Sequence, residues 1–186
     1  MDENVNPEEK KVKKQNSAAK KIAILALLTG MSLITFILEG LLPPLFFPGA
    51  KLGLSNVFSL AALIMFSPAE AFLVVAARTL LGAMFAGNLS ALLYSFTGGI
   101  LSMAVSSLLL YLIYPKISVM SVSIAAAITH NITQCLVFVA LSGTPLLFGY
   151  MPYLALIGIP AGAVVGGVTI LIFKGLPKNT LEKFCK

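Results

Sequence analysis

The sequence predicts an all-α integral membrane protein, a compact six-transmembrane-helix bundle, and three observations carry that expectation. Hydrophobic residues fill 58% of the 186 positions and charged ones only 11%, whereas a soluble domain of this size carries roughly a quarter charged residues. The chain divides into six apolar segments separated by short turns, most of them near the roughly 20 helical residues that cross a hydrocarbon core of about 30 Å. Finally, the lysines gather at alternate connections, the pattern that sets orientation in a bilayer.

Taken in order, residues 1–19 are acidic and then basic, rich in Asn and Lys, and read as a disordered, solvated cytoplasmic tail. The first span is expected at 20–41. Its apolar run is too long and too directly joined to the lysines for a cleaved signal peptide, so a retained span is expected. The second, 51–66, is short, and the preceding "PPLFFPGA" is expected to dip back against protein or a water-filled cavity, where non-helical backbone is tolerated. The third, 69–87, has a start signal in "SPAE": Ser67 as N-cap, Pro68 in the first turn and Glu70 closing a capping box. Asn88 is placed to cap the fourth span, 89–113. The fifth and sixth are expected at 119–141 and 152–173, and residues 174–186 form a short basic tail.

Lys10, Lys11, Lys13, Lys14, Lys20 and Lys21 precede the first span, Lys116 lies between the fourth and fifth, and Lys174, Lys178, Lys183 and Lys186 follow the sixth. The positive-inside rule puts all of these, and both termini, on the cytoplasmic side. The alternate connections, around 42–50, 86–89 and 142–151, contain no charge. The net charge of +6 is thus topogenic and lipid-facing, with no basic stripe for nucleic acid. Cys135 falls within a span and Cys185 in the tail, a spacing that suggests neither a disulfide framework nor a metal site.

Ionisable groups inside a bilayer cost several kcal/mol unless paired or hydrated. The few present are Glu39, Lys51, Arg78 and His130, accompanied by Asn56, Asn131 and Gln134. Counting about 1.5 Å per residue from the span ends, Arg78 and His130 lie near the midplane, Asn131 and Gln134 slightly outward, Asn56 in the outer half, and Glu39 and Lys51 at the outer ends. These groups suit an outward-facing pocket for a polar, planar or anionic small molecule. Lys51 forms the rim and Arg78 and His130 the floor, Asn56, His130, Asn131 and Gln134 orient the ligand, and Glu39 balances charge. In "THNITQ", His130 and Gln134 share a helical face while Asn131 is turned about 100° away. The structural alternatives are helix-to-helix hydrogen bonding for the amides and imidazole, and a pair with Glu39 or with backbone carbonyls for Arg78.

Two stripes of small residues complete the pattern. Ala19, Ala23, Ala26 and Gly30 line the first span, and Gly158, Gly162 and Gly166 line the sixth, with Pro160 between them expected to kink it. Both allow close helix approach. The second suits internal packing; the first suits packing or docking to another membrane protein.

The short-looped helices, "PGAKLGLSN" leading into the second span and "HNITQ" in the fifth resemble the Gx transporter family, often labelled heptaprenyl diphosphate synthase component I. That family is similar to the S components of energy-coupling factor (ECF) transporters, the bacterial vitamin importers. The resemblance implies a membrane subunit that binds a small molecule near the outer surface, under the loop joining helices one and two. It implies docking through small residues of the first helix, here Ala19, Ala23, Ala26 and Gly30, to a transmembrane coupling protein with two ATPase subunits. The substrate would be vitamin-like or related to isoprenoids and quinones, with no cofactor. No P-loop motif is present, so energy comes from partners. Nor is an enzyme expected, because prenyl diphosphate synthases hold magnesium-diphosphate through clustered aspartates and this chain has only Asp2. The alternative is a non-transporting accessory subunit in isoprenoid or quinone synthesis or in extracellular electron transfer.

Overall fold

The computed structural model describes residues 7–41, 51–87 and 89–174. Six α-helices run in order: α1 Pro7–Leu41, α2 Asn56–Met65, α3 Pro68–Ala86, α4 Leu89–Leu112, α5 Val119–Ser142 and α6 Met151–Lys174, with a 3₁₀ turn at Pro145–Tyr150 before the last. Five are long and apolar enough to cross a membrane, and α2 is the exception. Its 10 residues rise about 15 Å, half a bilayer core. It is nonetheless the most enclosed element, with Ala61, Ala62, Leu63 and Ile64 all at or below 1% exposure, as expected of a helix that is apolar all round.

Two expectations need correction. Residues 7–19, expected to be disordered, include a helix from Pro7 onward that is continuous with the first span. Proline is favoured in the first turn, and a run rich in Glu, Lys, Ala and Gln extends a helix that the span has already nucleated. The second span was expected to be helical from residue 51, yet α2 begins only at Asn56. The intervening residues form a turn whose Gly53, at φ +82°, occupies the left-handed region that suits glycine. Asn88 and the segment "PPLFFPGA" lie outside the described residues, as does Cys185.

The start of α3 follows its sequence signal with one change. Ser67 occupies the N-cap position with Pro68 next to it, but Ser67 donates its hydroxyl to Glu70 instead of capping a backbone amide. Lys21 of α1 forms a salt bridge to the other Glu70 oxygen. This exposed contact ties the base of α1 to α3.

On α1, Leu28, Ser32, Phe36 and Glu39 are buried, following the four-four-three spacing of one helical face. Ala19, Ala23 and Ala26 are exposed, and a side chain at Gly30 would meet nothing within 4 Å. The small-residue stripe therefore lies on the outside of the bundle. The α6 stripe does the opposite. Added methyl groups at Gly158, Gly162 and Gly166 would strike the backbone of α5 at Ile128, Ile124 and Met120, so these glycines let two helices meet backbone to backbone. The helix continues without interruption through Pro160.

Candidate functional site

The buried polar residues gather where the turn before α2 meets the last turns of α1 and the middle of α3, α4 and α5. Glu39, in the last turn of α1, accepts hydrogen bonds from the Leu54 amide at 2.9 Å and the Ser55 amide at 3.3 Å. These N–H groups belong to the two residues just before α2, where Ser55 at the N-cap position makes no capping bond with its own side chain. A carboxylate from α1 thus caps a helix distant in sequence and meets the positive end of its dipole.

Lys51 sits at the start of the turn. Its ammonium donates to the Phe36 carbonyl at 2.8 Å and lies 3.0 Å from the Phe36 ring centroid, a cation–π contact. Gly40 of α1 borders the ammonium, since an added methyl there would lie 3.4 Å from Lys51 Nζ, in ordinary contact. The Lys51 amide donates to Gln134 Oε1 at 3.4 Å, fastening the turn to α5.

Arg78, on α3, is 1% exposed. Its guanidinium donates to the hydroxyls of Ser55 and Ser32 and to Asn56 Oδ1, and Ser32 in turn donates to the Ser55 carbonyl at 3.0 Å. Neither predicted structural role is seen, because Arg78 binds hydroxyls and an amide rather than Glu39 or backbone carbonyls. Its Nε is buried and without a partner. An arginine cannot shed its charge to relieve this.

On α5, Gln134 Nε2 and His130 Nε2 are 3.0 Å apart, the pairing that four-residue spacing provides. His130 Nδ1 is buried against Gly98 of α4. The ring is held between two glycines: a methyl at Gly53 would come within 3.3 Å of the ring and one at Gly98 within 3.2 Å. Asn131, one residue on, faces α6 and donates to the Leu154 carbonyl at 3.0 Å. The structure therefore brings together Glu39, Lys51, Asn56, Arg78, His130 and Gln134, and leaves Asn131 in the α5–α6 contact.

Sequence reasoning missed Ser32, Phe36, Ser55, Gly53 and Gly98. Ser55 and Gly53 stood within "KLGLSN", and Ser32 lies seven residues before Glu39 on the same helical face, so both were within reach. The role of Phe36 had no signal, because an aromatic in a span is ordinarily lipid-facing or core.

Taken together, the cluster contains two cations, Lys51 and Arg78, and one carboxylate, Glu39. Among the described residues the only salt bridge is the distant one between Lys21 and Glu70. Excess positive charge held in a low-dielectric interior favours an anion. No group of three or more His, Cys, Asp or Glu side chains suited to a metal occurs among the described residues. Beside the cluster, a cavity of about 320 Å³ lies between α1 and α3, lined by Phe36, Ile37, Gly40, Leu41, Lys51, Gly82 and Phe85.

This architecture is shared with a solved structure described as the S component of a bacterial ECF transporter. The two chains are 23% identical, the match covers 86% of this chain and 96% of that one, and the TM-score is 0.67. At that identity the likeness establishes the fold. No curated protein matches the sequence. The family model described as heptaprenyl diphosphate synthase component I matches residues 28–172, from the later part of α1 to nearly the end of α6, and the chain belongs to that family.

Proposed function

We propose that this protein is the substrate-binding membrane subunit of an importer, capturing a small anionic molecule at the outer face and relying on separate ATPase partners. The observation that carries this reading is the buried cluster itself. Two cations and one carboxylate lie together, and the Arg78 Nε has no hydrogen-bond partner. A purely structural network is expected to satisfy its buried donors, since each unsatisfied one costs about 1–3 kcal/mol. A carboxylate or phosphate placed among Lys51, Arg78, Asn56, His130 and Gln134 supplies the missing acceptor and the missing charge.

The fold shared with an S component supports the same reading, as does the exposed stripe of Ala19, Ala23 and Ala26, a smooth helix face suited to a transmembrane coupling protein. Both termini lie in the cytoplasm on this reading, because the lysines flank that side. The chain performs no catalysis: the diphosphate-binding aspartates of prenyl transfer have no counterpart in a sequence whose one aspartate is Asp2.

The test is thermal stabilisation of the purified protein by a panel of small carboxylates and phosphates, repeated with the Lys51→Ala, Arg78→Ala double variant. Stabilisation by at least one anion that disappears in the double variant is expected. Equal stabilisation of both proteins removes the site assignment. Affinity purification of the tagged chain should also recover a membrane coupling protein with two ATPases. The family's description as a synthase component favours a second reading, an accessory subunit of isoprenoid or quinone synthesis, and recovery of prenyltransferase proteins alone would establish it.

A further inference from the structure

The cavity between α1 and α3 is not needed to bind a compact anion, and its walls are unlike the cluster beside it. Phe36, Ile37, Leu41 and Phe85 make it apolar, and Lys51 is the single charged residue among its lining. The rim opens on the outer surface of the bundle, where Leu41 is 76% and Phe85 72% exposed. In a bundle whose long helices cross a membrane, that surface meets lipid tails. A volume of about 320 Å³ lies within the range of small-molecule sites, which are commonly mostly apolar with a few placed polar groups.

The charged end of the cavity is built with care. A methyl at Gly82 would overlap the Phe36 ring, so the absence of a side chain there lets the ring lie close against α3. The Lys51 ammonium is held over that ring and against the Phe36 carbonyl. Its place at the cavity wall is fixed by α1 and α3 together. Glu39, the nearest carboxylate in the cluster, is engaged by the Leu54 and Ser55 amides and forms no salt bridge with Lys51.

We infer that this cavity is a lateral site for an amphiphilic anion dissolved in the surrounding bilayer. Its phosphate or carboxylate head meets Lys51 and its apolar chain lies between α1 and α3, along Ile37, Leu41 and Phe85. The inference rests on the proposed capture of an anion and adds the class of substrate and its direction of approach. Apolar packing alone would not distinguish the cavity from lipid, since the hydrocarbon around it is just as apolar. Selectivity must come from the head group.

The chain has no tryptophan, so Phe85→Trp places a lone fluorescent reporter on the cavity wall at an exposed position. Reconstituted in nanodiscs of zwitterionic lipid, this full-length variant is titrated with bromododecyl phosphate and with bromododecanol, which quench on contact. The phosphate is expected to quench at a bilayer fraction at least about tenfold lower than the alcohol, the scale of one hydrogen bond to a charged group. Lys51→Gln in the same background should abolish that preference, and ethyl phosphate in large excess from the water should not relieve the quenching. Ile37→Trp, on the facing wall, gives the same readout if the first variant misfolds. Equal quenching by phosphate and alcohol overturns the inference, as does full displacement by ethyl phosphate. In the second case Lys51-dependent binding of ethyl phosphate leaves anion capture standing, whereas binding indifferent to Lys51→Gln removes both.

Discussion

The contact between α5 and α6 and the contact between α1 and α3 both depend on glycine, with opposite results. Gly158, Gly162 and Gly166 bring α6 against the main chain of α5, leaving no room for a side chain, and the one polar contact there, Asn131 to Leu154, reinforces the pair. At α1 and α3, Gly82 faces an aromatic ring rather than backbone. The ring carries a lysine, and a cavity of about 320 Å³ remains beside it. A membrane bundle gains no hydrophobic driving force from helix association, so close packing has to supply it. One seam takes that stabilisation in full; the other leaves it incomplete where the charged cluster lies. The difference fits the proposal made above, in which the α5–α6 pair is scaffold and the α1–α3 side receives the ligand.

Substitution of Arg78 should have the largest effect. Arg78→Ala removes the donor to Ser32, Ser55 and Asn56, and three buried or partly buried acceptors left unpaired at about 1–3 kcal/mol each give a loss of about 3 kcal/mol or more. Unfolding in a denaturant series should show that loss, together with absence of anion-dependent stabilisation. Next is Gly162→Ala, whose new methyl meets Ile124 and the Ser123 carbonyl. Forcing two helices apart costs about 1–3 kcal/mol, but the anion response of the protein that remains folded should be native. Asn131→Ala is milder still, about 0.6 kcal/mol for one hydrogen bond between membrane helices, again with unchanged anion response. An altered response in either α5–α6 variant would erase the distinction between the two seams.

Much of this arrangement was legible in the sequence, for reasons that differ by residue. The spans followed from hydropathy because lipid imposes length and apolarity on any helix that crosses it. Glu39, Lys51, Arg78 and His130 stood out because charge inside a bilayer needs a reason. The helical angle between His130 and Asn131 separated them correctly, but the sequence could not say that Asn131 faces α6. Glu39 was readable as a charge and unreadable as a cap, because the helix it caps begins many residues later and five residues past the expected start. The cavity was invisible altogether. It depends on Gly82 admitting the Phe36 ring, a contact between two helices whose relative rotation no single-chain pattern encodes.

The substitution expected to do least to stability separates the two seams most clearly. Gly82→Ala introduces the same methyl as Gly162→Ala and meets an equally close neighbour, but here that neighbour is a side chain beside open space. The ring can turn into the cavity where the backbone of α5 cannot move. Replacing glycine within the α3 helix also recovers up to about 1 kcal/mol of helix propensity, so the net change in stability should be within about 1 kcal/mol of zero. The effect should fall on function instead, because a displaced Phe36 takes with it the seat of Lys51. Preference for an alkyl phosphate over the alcohol, read by the Phe85→Trp reporter, should therefore drop while the unfolding midpoint stays near native. A large destabilisation with intact preference would mean that α1 and α3 are as tightly sealed as α5 and α6, and that the lysine holds its place without the ring.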